Sequence, residues 1–385
     1  MMNSEIIYLD HAAATPMDDR VLSAMQPYFA NDFYNPSSPY APAVKVRRDY
    51  EDAKHRIASS IGAKPGEIII TAGATESICL AFANIKGHVV TPNIEHHAIL
   101  ENARKNSNTI VASDERGYVS AESIKAAIRP DTELVSVALA NNELGTIQPI
   151  RDIAMIVKKE RETRLMNSDK TPIYLHTDAS QGVGQLDINV ARLGVDMLTL
   201  NAGKIYGPKQ VGLLWAASHV RLEPQIIGGG QERGIRSGTE NVAGVIGFAR
   251  ALELANEHRK FESERLEKLR NNMQNDLTNA FSSAIVSGHQ KHRLAGHLHI
   301  SFPGIDAERL IFLLENKGVL VATGSACAAN FGTRSHVLNA IGLAPDAVDG
   351  SIRITLGHLS NIDNIKRATD AIIAELQQEY KRLSK

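Results

Sequence analysis

Asn201-Ala202-Gly203-Lys204-Ile205-Tyr206-Gly207-Pro208-Lys209 decides how the rest of this chain is read, because it sets a lysine at the mouth of a tight turn. Directly before it, Asp196-Met197-Leu198-Thr199-Leu200 reads as a strand that delivers Lys204 to the turn. Upstream, Ile173-Tyr174-Leu175-His176-Thr177-Asp178-Ala179 reads as an apolar strand ending in a carboxylate. Taken singly, a solvated turn lysine and a helix-capping aspartate would look the same. Taken together they are the pair that pyridoxal phosphate (PLP) chemistry needs, a lysine to hold the cofactor covalently and a carboxylate to keep its pyridine nitrogen protonated.

The bulk numbers bound what surrounds this pair. A chain of 385 residues, 43% hydrophobic, can bury a large core and has the length of two domains. Lys+Arg 42 against Asp+Glu 43 gives a net charge of −1, which argues against nucleic acid or an anionic membrane as the main partner. No apolar run approaches the ~20 residues of a membrane span, and no signal-peptide core precedes the strand at Ile6-Ile7-Tyr8-Leu9, so a cytoplasmic protein is expected. Two cysteines, Cys79 and Cys327, make neither a disulfide framework nor a zinc site, and a reducing compartment leaves both as thiols.

From Ile68 the chain alternates short apolar strands with helical stretches: Ile68–Thr71 and a helix from Ala74, Val89–Thr91 and a helix from His97, Thr109–Val111 and a helix from Ser120, Leu134–Leu139 and a helix from Ile150 to Arg164. This alternation predicts an α/β fold with a doubly wound, mostly parallel sheet and ligands at the carboxyl ends of its strands. Helices are expected over Asp18–Ala30 and over Pro42–Ile61, the second stopped by Gly62, and Glu162–Thr171 reads as a surface loop. A long amphipathic helix, Asn241 to Leu277, leads into a smaller α+β region with strands at His297–Phe302, Val319–Ala322 and Ile352–Thr355. The expected division is a large domain over 16–250 and a small one made of 1–15 with 251–385.

Further motifs fall at strand ends. Thr71-Ala72-Gly73-Ala74-Thr75-Glu76-Ser77 can offer free N–H groups to a phosphate, and Ile94-Glu95-His96-His97 places a histidine pair without the further ligands a metal needs. Asn141-Asn142-Glu143-Leu144-Gly145 follows the next strand. Glycine content alone would make Gly228-Gly229-Gly230-Gln231-Glu232-Arg233-Gly234 a flexible loop. Cys79, inside a helix, reads as an inert packing thiol, whereas Cys327 in Gly324-Ser325-Ala326-Cys327 sits in a loop, where a thiol is a liability unless it is used.

His176-Thr177-Asp178-Ala179-Ser180-Gln181, Gly203-Lys204-Ile205-Tyr206-Gly207-Pro208, the run from Gly228 to Asn241 and Gly324-Ser325-Ala326-Cys327 resemble the cysteine desulfurases, in the class V aminotransferase group of fold-type-I PLP enzymes. The resemblance covers essentially the whole chain. It implies that Lys204 binds PLP and moves the substrate's Cα proton, that His96 stacks on the pyridine ring and shuttles protons, and that Asp178 holds the ring nitrogen. It implies further that Ala74, Thr75, Asn201 and Gly203 lie at the phosphate, that Asn142 and Gln181 serve the ring's polar atoms, and that Arg353 clamps the substrate carboxylate. Thr239 would reach the phosphate of a neighbouring subunit, giving a homodimer. Cys327 would take the sulfur of L-cysteine as a persulfide, leaving alanine, and pass it to an acceptor protein for iron–sulfur cluster assembly, tRNA thiolation or another use. The family's Ser-x-His-Lys is replaced here by Asn201-Ala202-Gly203-Lys204, which implies a weakened phosphate cup. Alternatives on the same scaffold are a selenocysteine lyase or another class V lyase or aminotransferase, with a non-catalytic scaffold as the reading from another class.

Overall fold

The computed structural model describes residues 6–324 and 334–384. In chain order its elements are β1 (Ile7–Tyr8), α1 (Asp19–Met25), α2 (Pro27–Ala30), α3 (Ala41–Ile61), β2 (Ile68–Thr71), α4 (Ala74–Phe82), β3 (His88–Pro92), α5 (His97–Ala103), β4 (Asn108–Val111), α6 (Ala121–Ala127), β5 (Thr132–Ser136), α7 (Ile150–Met166), β6 (Tyr174–Asp178), α8 (Val190–Leu193), β7 (Met197–Asn201) and β8 (Gly212–Ala216). They are followed by α9 (Val242–Ala280), β9 (Ile285–Ser287), β10 (His297–Ser301), α10 (Ala307–Glu315), β11 (Val319–Leu320), α11 (His336–Ala340), α12 (Pro345–Asp349), β12 (Ser351–Thr355) and α13 (Ile362–Leu383).

The strands from β2 to β8 form one seven-stranded sheet in the order β2-β8-β7-β6-β5-β3-β4. All neighbours are parallel except those of β8, which runs against both β2 and β7. The expected α/β sheet is therefore present as a mixed one. β2, β3 and β8 are buried along their whole length, as strands covered on both faces must be. β6 and β7 are buried up to their last residues, the half-buried Asp178 and Asn201. At β6 and β7 the sheet thus surfaces at its carboxyl edge, on polar groups.

Several boundaries differ from the sequence reading. The helix expected over Asp18–Ala30 is broken into α1 and α2, since Pro27 starts a new first turn and cannot donate into the old one. α7 runs on to Met166, past its expected end at Arg164 and into the stretch read as a loop from Glu162, because the buried Arg164 donates to the carbonyls of Thr132 (2.8 Å) and Arg129 (2.9 Å) and holds that turn on the sheet. β5 ends at Ser136, ahead of the expected Leu139. α3 does end where expected, with Gly62 at φ 70° in the left-handed conformation that caps it.

A second core gathers Leu298, Ile300, Phe302, Ile352 and Ile354 of the antiparallel sheet β12-β10-β9 with Ile7 and Leu9. β1 lies parallel to β11, Ile7 opposite Val319. α9, 39 residues and about 58 Å long at ~1.5 Å per residue, serves both cores. Val242 to Leu254 pack under the large sheet, and Leu266 to Leu277 pack in the small core. No helix among the described residues is long and apolar enough to cross a membrane.

Candidate active site

At the carboxyl edge of the large sheet, residues that follow its strands meet Arg353 of the small sheet around a cleft of about 1310 Å³. Its lining includes Ala74, Thr75, His96, Asn142, Asp178, Gln181, Asn201, Lys204 and Arg353. Asp178 leaves β6 and Lys204 follows β7, strands paired so that Asp178 stands opposite Thr199. The Asp178 carboxylate accepts the Ser180 N–H at 2.9 Å, which fixes its first oxygen.

Lys204 ends a short helical turn, Ala202–Lys204, that begins when the Asn201 side-chain oxygen accepts the Gly203 N–H at 2.9 Å. Its Nζ donates to the carbonyls of Ala12 and Ala13, each at 2.7 Å. Residues 12–15 are therefore a cradle for the lysine: Thr15 also donates to the Gly203 carbonyl (3.1 Å) and accepts the Tyr206 N–H (2.8 Å), and Gln181 donates to Ala12 (3.1 Å).

His96 caps α5, its Nδ1 accepting the Ala98 N–H at 3.0 Å, so the neutral ring carries its proton on Nε2. Desolvation by the surrounding protein pushes its pKa below the ordinary value. Asp178 opposes that shift, and His97 and Lys204 add to it. A neutral imidazole is the result near pH 7.

The cleft is also lined by Arg353, in the middle of β12 and 3% exposed. One terminal nitrogen pairs with Asp10 at 2.7 Å and the other donates to the carbonyls of Asn142 (3.3 Å) and Gly324 (3.2 Å). Asp10 is what makes this burial tolerable, since an unpaired buried guanidinium costs several kcal/mol.

The phosphate segment and the lysine segment are brought together by β8, which the sequence reading omitted. Gly212 stands opposite both Thr71 and Asn201. It must be glycine, because a methyl group there would lie 2.6 Å from the Gly73 Cα and 2.8 Å from the Leu200 carbonyl oxygen. Gly73 itself holds φ 145°, open to glycine alone, and opens the first turn of α4 with Ala74 and Thr75. A methyl built on Gly73 would have one neighbour within 4 Å, the Asn201 Nδ2 at 3.8 Å. The amide nitrogen thus faces the helix N-terminus across an open cradle.

This donor set fits PLP: an amine beside a carboxylate at adjacent strand ends, and free N–H groups with a side-chain amide around a cradle that a β-carbon would fill. Two further members escaped the sequence reading although each adjoins a quoted motif residue. Glu95 is buried with its pKa raised to about 8 by desolvation, one oxygen accepting the Ala138 N–H (2.9 Å). Glu143 is buried, its pKa also raised by desolvation, and accepts the Ser335 hydroxyl at 2.6 Å. Of the remaining expected residues, Thr239 is exposed and is not among those lining this cleft, and Cys327 lies outside the described residues. Cys79 is half-buried rather than fully buried, with the Asn102 amide 3.4 Å from its sulfur. No group of metal-ligating side chains occurs among the described residues.

The sequence model of the class-V aminotransferases matches residues 7–368, and the chain belongs to that family. It is 38% identical to a cysteine desulfurase IscS of Dictyoglomus turgidum, over 97% of this chain and 98% of that one. It is 39% identical to a putative cysteine desulfurase IscS 1 of Bacillus subtilis, over 94% and 97%. Among solved structures, a NifS-like protein superposes with a TM-score of 0.88 at 34% identity, covering 97% of this chain and 99% of that one. A structure of SspA in complex with cysteine gives 0.76 at 33% identity, covering 91% and 98%. Within the family these relatives place the chain among the cysteine desulfurases, with the fold-type-I architecture of PLP enzymes.

Proposed function

We propose that this desulfurase works through the residues of the cleft with PLP as cofactor and L-cysteine as substrate. When bound, PLP supplies an electron sink for the pair released at the substrate Cα. Lys204 holds the cofactor and carries the Cα proton, Asp178 keeps the ring nitrogen protonated, and His96 presents Nε2–H to the ring. Ala74 and Thr75 hold the phosphate with Asn201, the missing side chain at Gly203 leaving room for its amide; Asn142 and Gln181 serve the ring's polar atoms. Arg353 receives the substrate carboxylate by a charge-assisted pair, for which Asp10 keeps it oriented. The Cys327 thiolate then takes the sulfur: the substrate Cβ–S bond breaks, an S–S bond forms on Cys327, and the electron pair left at Cβ is protonated to give the methyl of alanine. Thr239, outside the cleft of its own chain, serves the phosphate of a second copy in a homodimer. An acceptor protein removes the persulfide sulfur.

The observation that carries this reading is the meeting of Lys204, Asp178 and Arg353 in one cleft, which suits a carboxylate clamp and a reacting amine working on one substrate. The test is sulfide and alanine release from L-cysteine with PLP supplied. Lys204→Ala is expected to lose the visible absorbance of lysine-bound cofactor. Cys327→Ser keeps that absorbance and loses sulfide release, while Cys79→Ser behaves as wild type. Full sulfide release by Cys327→Ser, or cofactor found on another lysine after borohydride reduction and peptide mapping, overturns the assignment.

A further inference from the structure

The run from Ile226 to Glu240 looks like a flexible glycine loop, but it is built as an arch. The Ser237 N–H donates to the Ile226 carbonyl (3.1 Å), the Gly230 N–H to the Ser237 hydroxyl (3.2 Å) and the Gly238 N–H to the Gln231 side-chain oxygen (3.0 Å). Its crest carries two non-glycine residues in the left-handed region, Glu232 at φ 46° and Arg233 at φ 61°. Backbone strain of this kind persists only where surrounding contacts over-determine it.

Those contacts come from the Glu232 carboxylate, whose side chain is 5% exposed. One oxygen accepts the Tyr50 hydroxyl at 2.5 Å and the Lys54 ammonium at 3.0 Å. The other accepts Lys54 again at 3.0 Å and the Ile70 N–H at 2.8 Å. Lys54, 8% exposed, has its charge balanced there. Ile70 belongs to β2, the edge of the large sheet, so the carboxylate caps an N–H that no strand would otherwise pair. A second tie lies nearer the cofactor segment. Arg236 pairs with Glu76 at 2.9 Å, and the other Glu76 oxygen accepts the Ala72 N–H at 2.6 Å. The arch is thus fastened to the strand that runs into Thr71–Thr75 and to the first turn of α4. Thr239 follows the second tie by three residues.

We propose that Glu232 is a positioning residue that sets Thr239, using the subunit's own phosphate segment as its reference. The arch, β2 and the α4 first turn then move as one body, and a displaced cofactor segment in one subunit displaces the hydroxyl offered to the neighbouring site. This rests on the reading above that Thr239 serves a cofactor phosphate.

The test is a double-mutant cycle on PLP affinity, measured by equilibrium dialysis of the full chain with its assembly state followed by sedimentation. Thr239→Val and Glu232→Gln are each expected to weaken PLP binding by about tenfold or more, the loss of one contact to a charged group. The double variant is expected to be no more than about threefold weaker than the worse single, because Glu232 acts through Thr239. Losses that multiply, a Glu232→Gln variant with wild-type affinity, or affinity lost only together with the dimer, overturn the proposal. Wild-type affinity in Thr239→Val overturns the Thr239 reading and this inference with it, while leaving Lys204, Asp178 and Cys327 testable on their own. Should Glu232→Gln fail to fold, Arg236→Gln, whose ion pair is more exposed, carries the same cycle.

Discussion

The departure at Asn201 and Gly203 gives the sharpest test of the cofactor site. On the family pattern alone, losing a hydroxyl and an imidazole implies weaker PLP binding. The structure adds that the Asn201 oxygen is occupied by the Gly203 N–H at 2.9 Å, which leaves its nitrogen turned to the cradle at Gly73. It also makes the two positions interdependent, since a β-carbon on Gly203 would press to 3.3 Å from that same oxygen. A donor to a charged group is worth ~1.5–3 kcal/mol, so Asn201→Ala should weaken PLP binding roughly 10- to 150-fold. The same substitution strands the Gly203 N–H, at a cost of about 1–3 kcal/mol in stability if no water replaces the oxygen.

Gly203→His alone should also weaken binding, because the new side chain must displace the amide that it crowds. Asn201→Ser combined with Gly203→His restores the family pattern and should return affinity to within about threefold of wild type, a difference under ~0.7 kcal/mol. The assay is PLP titration of the apoprotein by absorbance, with thermal unfolding of each apoprotein as a control on folding. Two results would refute the reasoning. Unchanged affinity in Asn201→Ala would mean the amide does not reach the phosphate, and a double variant binding tenfold more tightly than wild type would mean the native cup is deficient after all.

Two further outcomes follow from groups around the site. The rings of His297 and His299 on β10 are buried without hydrogen-bond partners among the described residues, and desolvation lowers both pKa values to about 3. The unfolded chain binds these protons first as pH falls, so stability is lost below the ordinary histidine value of ~6.5; at pH 5.5 the loss is about 1.4 kcal/mol for each. His299→Leu should therefore shrink the drop in urea midpoint between pH 7.5 and 5.5, and an unchanged drop would show the ring to be solvated. Gly212→Ala should cost ~1–3 kcal/mol by overpacking against Gly73 and weaken PLP binding, read by thermal unfolding and titration; wild-type values in both would mean the cradle is not held by that contact.

What the sequence carried well was everything with local grammar. Lys204 and Asp178 were legible because an apolar run followed by a polar turn marks a strand end, and strand ends in an α/β sheet are where ligands bind. Gly62 was legible because a left-handed cap selects glycine. β8 was not, since Gly212-Leu213-Leu214-Trp215-Ala216 is short, fully buried and without alternation, and nothing local distinguishes its direction from that of its neighbours. Arg164, expected where a helix gives way to a surface loop, showed no sign of burial in the sequence because its partners, Thr132 and Arg129, are set by the tertiary fold. The same holds for Asp10 and Arg353, whose pairing spans 343 positions of the chain. Glu95 and Glu143 sat beside quoted motif residues, but burial, which gives them their character, is not written in a motif.

The short N-terminal segment shows why these long-range pairings matter for the chemistry. Ile7 and Leu9 are packed in the small core, with β1 hydrogen-bonded to β11 and the Thr355 N–H donating to the Leu9 carbonyl. Three residues on, the Ala12 N–H donates to the Thr355 hydroxyl (2.9 Å) while the Ala12 carbonyl accepts from both Lys204 and Gln181. Asp10 between them holds Arg353. Lys204, proposed above as the proton carrier, follows a strand of the large sheet, and Arg353, proposed as the carboxylate clamp, belongs to the small one. Residues 9–15 contact both, so any shift of the small sheet that repositions Arg353 pulls on the carbonyls that hold the Lys204 ammonium. Residues 9–15, together with the Arg353 hydrogen bond to the Asn142 carbonyl, therefore couple the positions of Lys204 and Arg353.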